Sequence, residues 1–127
     1  IEVALPDGTR RAFDRLALVA LPDGVDDVAA LVPKRAGVAA RMSALLDAIG
    51  APRDVDIVVV AADGYATPPV PVDAVRSGLL VHTLTDEPLP ASQGGPFRLL
   101  IPGDAGPGGP CANVKSVVRI ALRSRVG

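Results

Sequence analysis

Seven consecutive residues, Asp56-Ile57-Val58-Val59-Val60-Ala61-Ala62, constrain this chain more than any others. The run is rich in β-branched residues, too short for a helix and apolar at both parities, so it reads as a strand buried on both faces. The core around it has to be aliphatic. Aromatic residues make up 2% of the chain, namely Phe13, Tyr65 and Phe97, which leaves Val, Leu, Ile and Ala to fill the interior.

The rest of the chain supplies partners for that strand. Residues 1–5 alternate apolar and polar and stop at Pro6-Asp7-Gly8, a strand followed by a turn. Phe13, Leu16 and Ala20 fall at helical spacing and predict a short amphipathic helix within 9–21. Residues 25–32 are apolar around Asp26-Asp27 and end at Pro33, which predicts a strand. The clearest helix is 40–49, with Met42, Leu45, Leu46 and Ile49 on one face and Gly50 and Pro52 as its stop. Asp63-Gly64-Tyr65 turns the chain, 68–72 is extended, 73–78 makes one helical turn, and 79–84, 97–101 and 114–122 are strands.

Short strands with two helices and no βα alternation predict an α+β fold with a mixed sheet. That sheet should contain 56–62, 97–101 and 114–122, flanked by the helix 40–49. The expected core is Leu45, Leu46, Ile49, Val58, Val60, Leu99, Ile101, Val118 and Ile120. On the last strand, Lys115, Arg119, Arg123 and Arg125 share one parity and should face solvent.

Composition narrows the function. At 127 residues and 12.9 kDa the chain fits a single domain over 1–127. A net charge of −1 gives no electrostatic case for nucleic acid, and three aromatics cannot build a base-stacking platform. No apolar run approaches the roughly 20 residues of a membrane span. One cysteine forms no internal disulfide, so the redox compartment is open. Ile1 in place of Met leaves room for a processed N-terminus, and a soluble protein, cytoplasmic or exported after processing, fits both.

The C-terminal third carries a pattern of its own. Leu89-Pro90-Ala91-Ser92-Gln93-Gly94-Gly95-Pro96-Phe97-Arg98-Leu99-Leu100-Ile101-Pro102 is a Pro/Gly-rich loop, one basic residue and a short apolar strand, and Asn113-Val114-Lys115-Ser116-Val117-Val118-Arg119-Ile120 follows. This ordered pair resembles the closing segment of the sulfite oxidase-like, oxidoreductase molybdopterin-binding domain. Earlier pieces are similar to the same family in the same order: Phe13-Asp14-Arg15-Leu16 to its early helix, residues 40–50 to its central helix, 58–65 to its buried strand ending in Asp-Gly-Tyr, and Leu79-Leu80-Val81 with Glu87-Pro88-Leu89-Pro90 to the strand and turn before the Gly-Gly-Pro loop.

The resemblance implies a molybdopterin cofactor whose molybdenum is held by a cysteine thiolate between the early and central helices, a soft ligand for that metal. Residues 25–39 contain no cysteine and no Trp-Thr-Gly. It also implies cofactor-binding roles for Arg98, Gln93 and Lys115, with the guanidinium fork of Arg98 suited to phosphate. Cys111-Ala112 replaces the family's aromatic-lysine pair, which removes one cation. No catalytic or metal-ligating residue is assigned. The expected cofactor is none, or molybdopterin (the molybdenum cofactor) if the family chemistry is kept.

Each candidate has a plainer role beside it. Arg98 can cap loop carbonyls around Gly94 and Gly95. Cys111 reads as an incidental thiol and His82, the single histidine, as structural. Asp26, Asp27, Asp54 and Asp56 read as solvated turn residues, and Gly106-Pro107-Gly108-Gly109 as a loop without the phosphate-loop lysine. The function expected is therefore a binding or scaffold module, for a protein partner or a small anionic ligand, without molybdenum redox activity. The alternatives are a molybdenum-cofactor oxidoreductase with an unusual or partner-supplied ligand, and a small-anion-binding domain that reuses the cleft.

Overall fold

The computed structural model describes residues 1–32, 35–102 and 113–124. Glu2–Ala4 (β1) and Arg10–Ala12 (β2) pair antiparallel, and the Leu5 N–H donates to the Thr9 carbonyl across the turn. The helix expected within 9–21 is therefore shorter. Ladder bonds to β1 claim residues 10–12, and helix α1 covers Arg15–Val19, where the Asp14 carboxylate accepts from the Ala17 N–H at 2.8 Å. Its apolar spacing is misleading too: Leu18 is buried while Leu16 is 70% exposed.

Residues 25–32 do not form the expected strand. Val25 makes a single bridge to Ala39, and Asp27 caps a 3₁₀ turn at Val28–Ala30. Val38–Arg41 (β3) then runs directly into Met42–Ala48 (α2). The helix starts two residues later than its periodicity suggests, because Ala40 and Arg41 are paired to Leu80 and Leu79. Val55–Ala61 (β4), Val70–Pro71 (β5), Leu79–Leu84 (β6) and Arg98–Leu100 (β8) fall where the pattern puts them; the helical turn expected at 73–78 is Val72–Val75 (α3), and Glu87–Pro88 (β7), which the pattern does not mark as a strand, is a short partner of β6.

The segment 114–122 is not one strand. Asn113–Val114 (β9) and Val117–Ser124 (β10) are separated by Lys115-Ser116, and Ser116 takes a φ of +54°. That break moves the chain from one sheet to another. The first sheet runs β2-β1-β10-β4-β5, with β1 parallel to β10 and every other pair antiparallel. The second runs β3-β6-β8-β9 and is antiparallel throughout. The α+β fold with a mixed sheet is present, but 97–101 lies in the second sheet and not beside 56–62.

The main core joins both sheets to α2 and α3: Val3, Ile57, Ile120 and Leu122 meet Met42, Leu45, Leu46, Val72, Leu80 and Leu99. Val60 is only half-buried. Val118 is a correction, since it is 38% exposed while Val117 and Ile120 are fully buried. The β10–β4 register shifts between Val117 and Arg119, and such a bulge turns the following side chains over. A second apolar cluster, including Val25, Val28, Leu79, Val81, Leu89 and Leu100, covers the outer face of the second sheet. Hence β6 is apolar on both faces. Among the described residues no helix is long and apolar enough to cross a membrane.

Candidate functional site

Residues 89–100 form the site because two anchors hold the loop against the second sheet. The Leu89 N–H donates to the His82 carbonyl at 3.1 Å, and the Gly95 N–H donates to the Pro90 carbonyl at 2.9 Å. Between them Ala91–Gln93 makes one 3₁₀ turn. Arg98 follows at the start of β8, opposite Val81 of β6. Side chains alternate along a strand, so Arg98 and Leu100 point to the outer face and Leu99 points into the main core.

Arg98 is 7% exposed. Its Nε donates to Asn113 Oδ1 at 2.9 Å and its Nη1 to the Gln93 carbonyl at 3.3 Å. The loop-capping role is thus real, at Gln93 rather than at Gly94 or Gly95. Two of five N–H groups are used this way, and among the described residues no carboxylate pairs with the guanidinium. Burial lowers its pKa from the ordinary value, and the nearby Arg35 charge lowers it further.

Arg35 reaches this place from the segment before β3. Gly37 makes that approach possible: its φ is +125°, and a Cβ there would lie 2.6 Å from the Thr83 carbonyl oxygen. Arg35, Ala36, Val81, Leu84, Leu89, Gln93, Arg98 and Leu100 line a cavity of about 130 Å³. Among the described residues no acidic one lines it. Two cations, one amide and an aliphatic floor make an environment that favours an anion.

The three residues singled out by resemblance do converge, though unevenly. A Cβ on Gly94 would sit 3.0 Å from Arg98 Cδ and 3.3 Å from Lys115 Cγ, so both side chains flank this glycine. The Ser116 N–H donates to the Gly94 carbonyl at 2.8 Å and fixes that contact. Gln93 lines the Arg98 cavity. Lys115 is exposed and lines a separate hollow of about 240 Å³ with Asp63, Tyr65 and Asn113.

Sequence reasoning missed Arg35 and Asn113. Asn113 stood two residues before Lys115 in the quoted segment, while Arg35 gave no signal, since its interval mattered only for a missing cysteine. His82 is buried, with Nδ1 2.7 Å from Thr83 Oγ1, which also accepts from Arg15 Nε at 2.8 Å. Its role is structural in that contact. Cys111, Ala112, Arg125 and the glycines at 106–109 lie outside the described residues. Among the described residues no three His, Cys, Asp or Glu side chains are grouped to hold a metal.

Fold and cavity together define an α+β protein of two sheets with a cationic pocket on the outer face of the second. A family model, the oxidoreductase molybdopterin binding domain, matches residues 32–126, and the chain belongs to that family. The matched span takes in the Arg98 loop, Arg35 and both hollows, and leaves out β1, β2 and α1. No protein of curated function matches the chain.

Proposed function

We propose that this chain is a single-domain binding module of the molybdopterin-binding family that holds a small anion at Arg98 and performs no molybdenum redox chemistry. The observation that carries this reading is a buried guanidinium with no carboxylate partner among the described residues, beside a second arginine in a cavity that no described acidic residue lines. An uncompensated buried charge is costly, and an anion between the two guanidinium groups relieves both the desolvation and their mutual repulsion.

The full cofactor fits these residues poorly. Pockets that enclose a cofactor run to about 300–1,000 Å³, against about 130 Å³ at Arg98. Lys115 opens into a different hollow, so the three groups assigned to the phosphate do not face one cavity. The interval 25–39 offers no thiolate, and the single cysteine, Cys111, stands in the wrong part of the chain for the family's ligand.

Two measurements test the reading. Protein produced with excess molybdate should contain far less than one molybdenum per chain by elemental analysis. Stoichiometric metal overturns the proposal, and its loss in Cys111→Ser would name the ligand. Inorganic phosphate should raise the melting temperature of the native protein and leave Arg98→Met unmoved, because a ligand that binds only the folded state stabilises it in proportion to its occupancy. An equal response in both proteins removes the anion site.

A further inference from the structure

We propose that Asp23-Gly24 is a site of spontaneous covalent modification, at which the aspartyl residue closes to a succinimide and reopens as isoaspartate while the chain is folded.

The chemistry belongs to the Asp-Gly pair. The glycine amide nitrogen attacks the aspartyl side-chain carbon Cγ, its proton passes to solvent, and the carboxyl oxygen leaves as water. The five-membered ring then takes up one water at either carbonyl. Opening on one side restores aspartate, and opening on the other leaves the main chain running through Cβ. One water is lost and one regained, so no oxidant, reductant or cofactor is required. Glycine suits the step because it has no Cβ to crowd the attacking nitrogen.

The chain carries Asp7-Gly8, Asp23-Gly24 and Asp63-Gly64, and all six residues are exposed, so accessibility does not separate them. Hydrogen bonding does. The Asp7 carboxylate accepts from the Thr9 N–H at 2.8 Å, and the Gly8 N–H donates to the Leu5 carbonyl at 3.0 Å. The Asp63 carboxylate accepts from the Tyr65 N–H at 2.9 Å, and the Gly64 N–H donates to the Ala61 carbonyl at 3.0 Å. In both turns the electrophile and the nucleophile are each held by another partner, and the ring closes only after those bonds open. The bond from Thr9 also lowers the Asp7 pKa and so favours the ionised carboxylate, the poorer electrophile.

Asp23-Gly24 has neither lock. Among the described residues nothing bonds to the Asp23 carboxylate or to the Gly24 N–H. The Asp23 carbonyl, which shares its peptide unit with that N–H, accepts from Arg41 Nε at 2.9 Å. A charged donor on the carbonyl oxygen polarises the amide and makes its N–H more acidic, which activates the nucleophile.

Each neutral hydrogen bond that has to open slows the attack about fivefold, so two together protect about twentyfold. The test is peptide mapping by mass spectrometry of the full chain after prolonged incubation, with isoaspartate marked by a methyltransferase that esterifies its free carboxylate. In the folded protein isoaspartate at Asp23 should form at least tenfold faster than at Asp7 or Asp63. In urea the locks are gone and the three rates should converge. Gly24→Ala, whose Cβ meets only the Ala39 carbonyl oxygen at 3.7 Å, should slow the reaction at Asp23 at least tenfold and leave the other two sites unmoved. Comparable rates at the three sites in the folded protein overturn the proposal, as does the same ranking persisting in urea. Isoaspartate at Asp23 in urea but not in the folded protein overturns it as well. An unchanged rate in Gly24→Ala removes the Gly24 amide as the nucleophile, and the proposal with it.

Discussion

Gly95→Ala is the perturbation whose cost follows most directly from the structure. The new methyl group would land on the Leu89 carbonyl oxygen, 2.7 Å from the Leu89 carbonyl carbon and 2.9 Å from that of Pro90. All three obstacles are backbone, so no rotamer change relieves the overlap. Relief requires moving Leu89-Pro90 or lifting Gly95. The first strains the Leu89 N–H bond to the His82 carbonyl, and the second breaks the Gly95 N–H bond to the Pro90 carbonyl. Overpacking costs about 1–3 kcal/mol and a lost buried hydrogen bond about as much again, so the variant should lose about 2–6 kcal/mol. Gly8→Ala is the internal control. Gly8 has a φ of +91° with nothing within 4 Å of an added Cβ, so only the left-handed backbone is penalised, by about 1–2 kcal/mol. Urea unfolding followed by circular dichroism reads both, with an unchanged m value confirming that the midpoint reports stability. A Gly95→Ala midpoint no lower than that of Gly8→Ala would refute the steric argument.

Other substitutions separate the core from its rim. Leu46→Ala removes a fully buried side chain from α2 and should cost about 2–5 kcal/mol, whereas Val118→Thr, at the bulge, should stay within about 0.5 kcal/mol in the same denaturation assay. Similar losses at the two sites would mean that the bulge does not expose Val118. The pH dependence should follow His82, whose pKa is lowered first by burial and then by the facing Arg15 charge, with Asp26 lining the same small hollow. Because the folded pKa lies below the unfolded value of about 6.5, the unfolded chain takes the proton first. Stability is therefore full above that value and declines as pH falls through it toward the folded pKa. His82→Gln should flatten the decline in melting temperature as pH falls from about 7 to 5, and equal slopes in the two proteins would rule out this origin.

Much of the fold was legible because the buried strands carry local signals. Ile57, Val58 and Val59 in β4, and Leu79 to Val81 in β6, are apolar at both parities, which only a strand covered on two sides tolerates. What failed depends on distant partners. Arg10 to Ala12 looks helical until β1 offers ladder bonds, and Ala40 looks helical until Leu80 claims it. Val118 keeps perfect alternation in the sequence, and the bulge beside it arises from pairing with β4. At the site, the resemblance of residues 89–102 to the family's closing segment pointed to Arg98 and Gln93. Arg35 could not be seen, since its approach depends on how Gly37 crosses the Thr83 backbone.

The change of sheet at Lys115-Ser116 has a consequence for how the site is kept in shape. Ser116 donates to the Gly94 carbonyl and accepts from the Ala62 N–H, both at 2.8 Å, so one residue pins the Arg98 loop to the end of β4. The cavity wall is therefore stapled to both sheets and gains its order when the core folds, before any ligand arrives. If an anion binds at Arg98 as proposed, it has little loop entropy to remove, which favours fast capture over a slow closing step. The same staple ties the amides of Gly95 and Ser116 to the global unfolding unit, so in hydrogen exchange they should open with β4 and not as a separate flap.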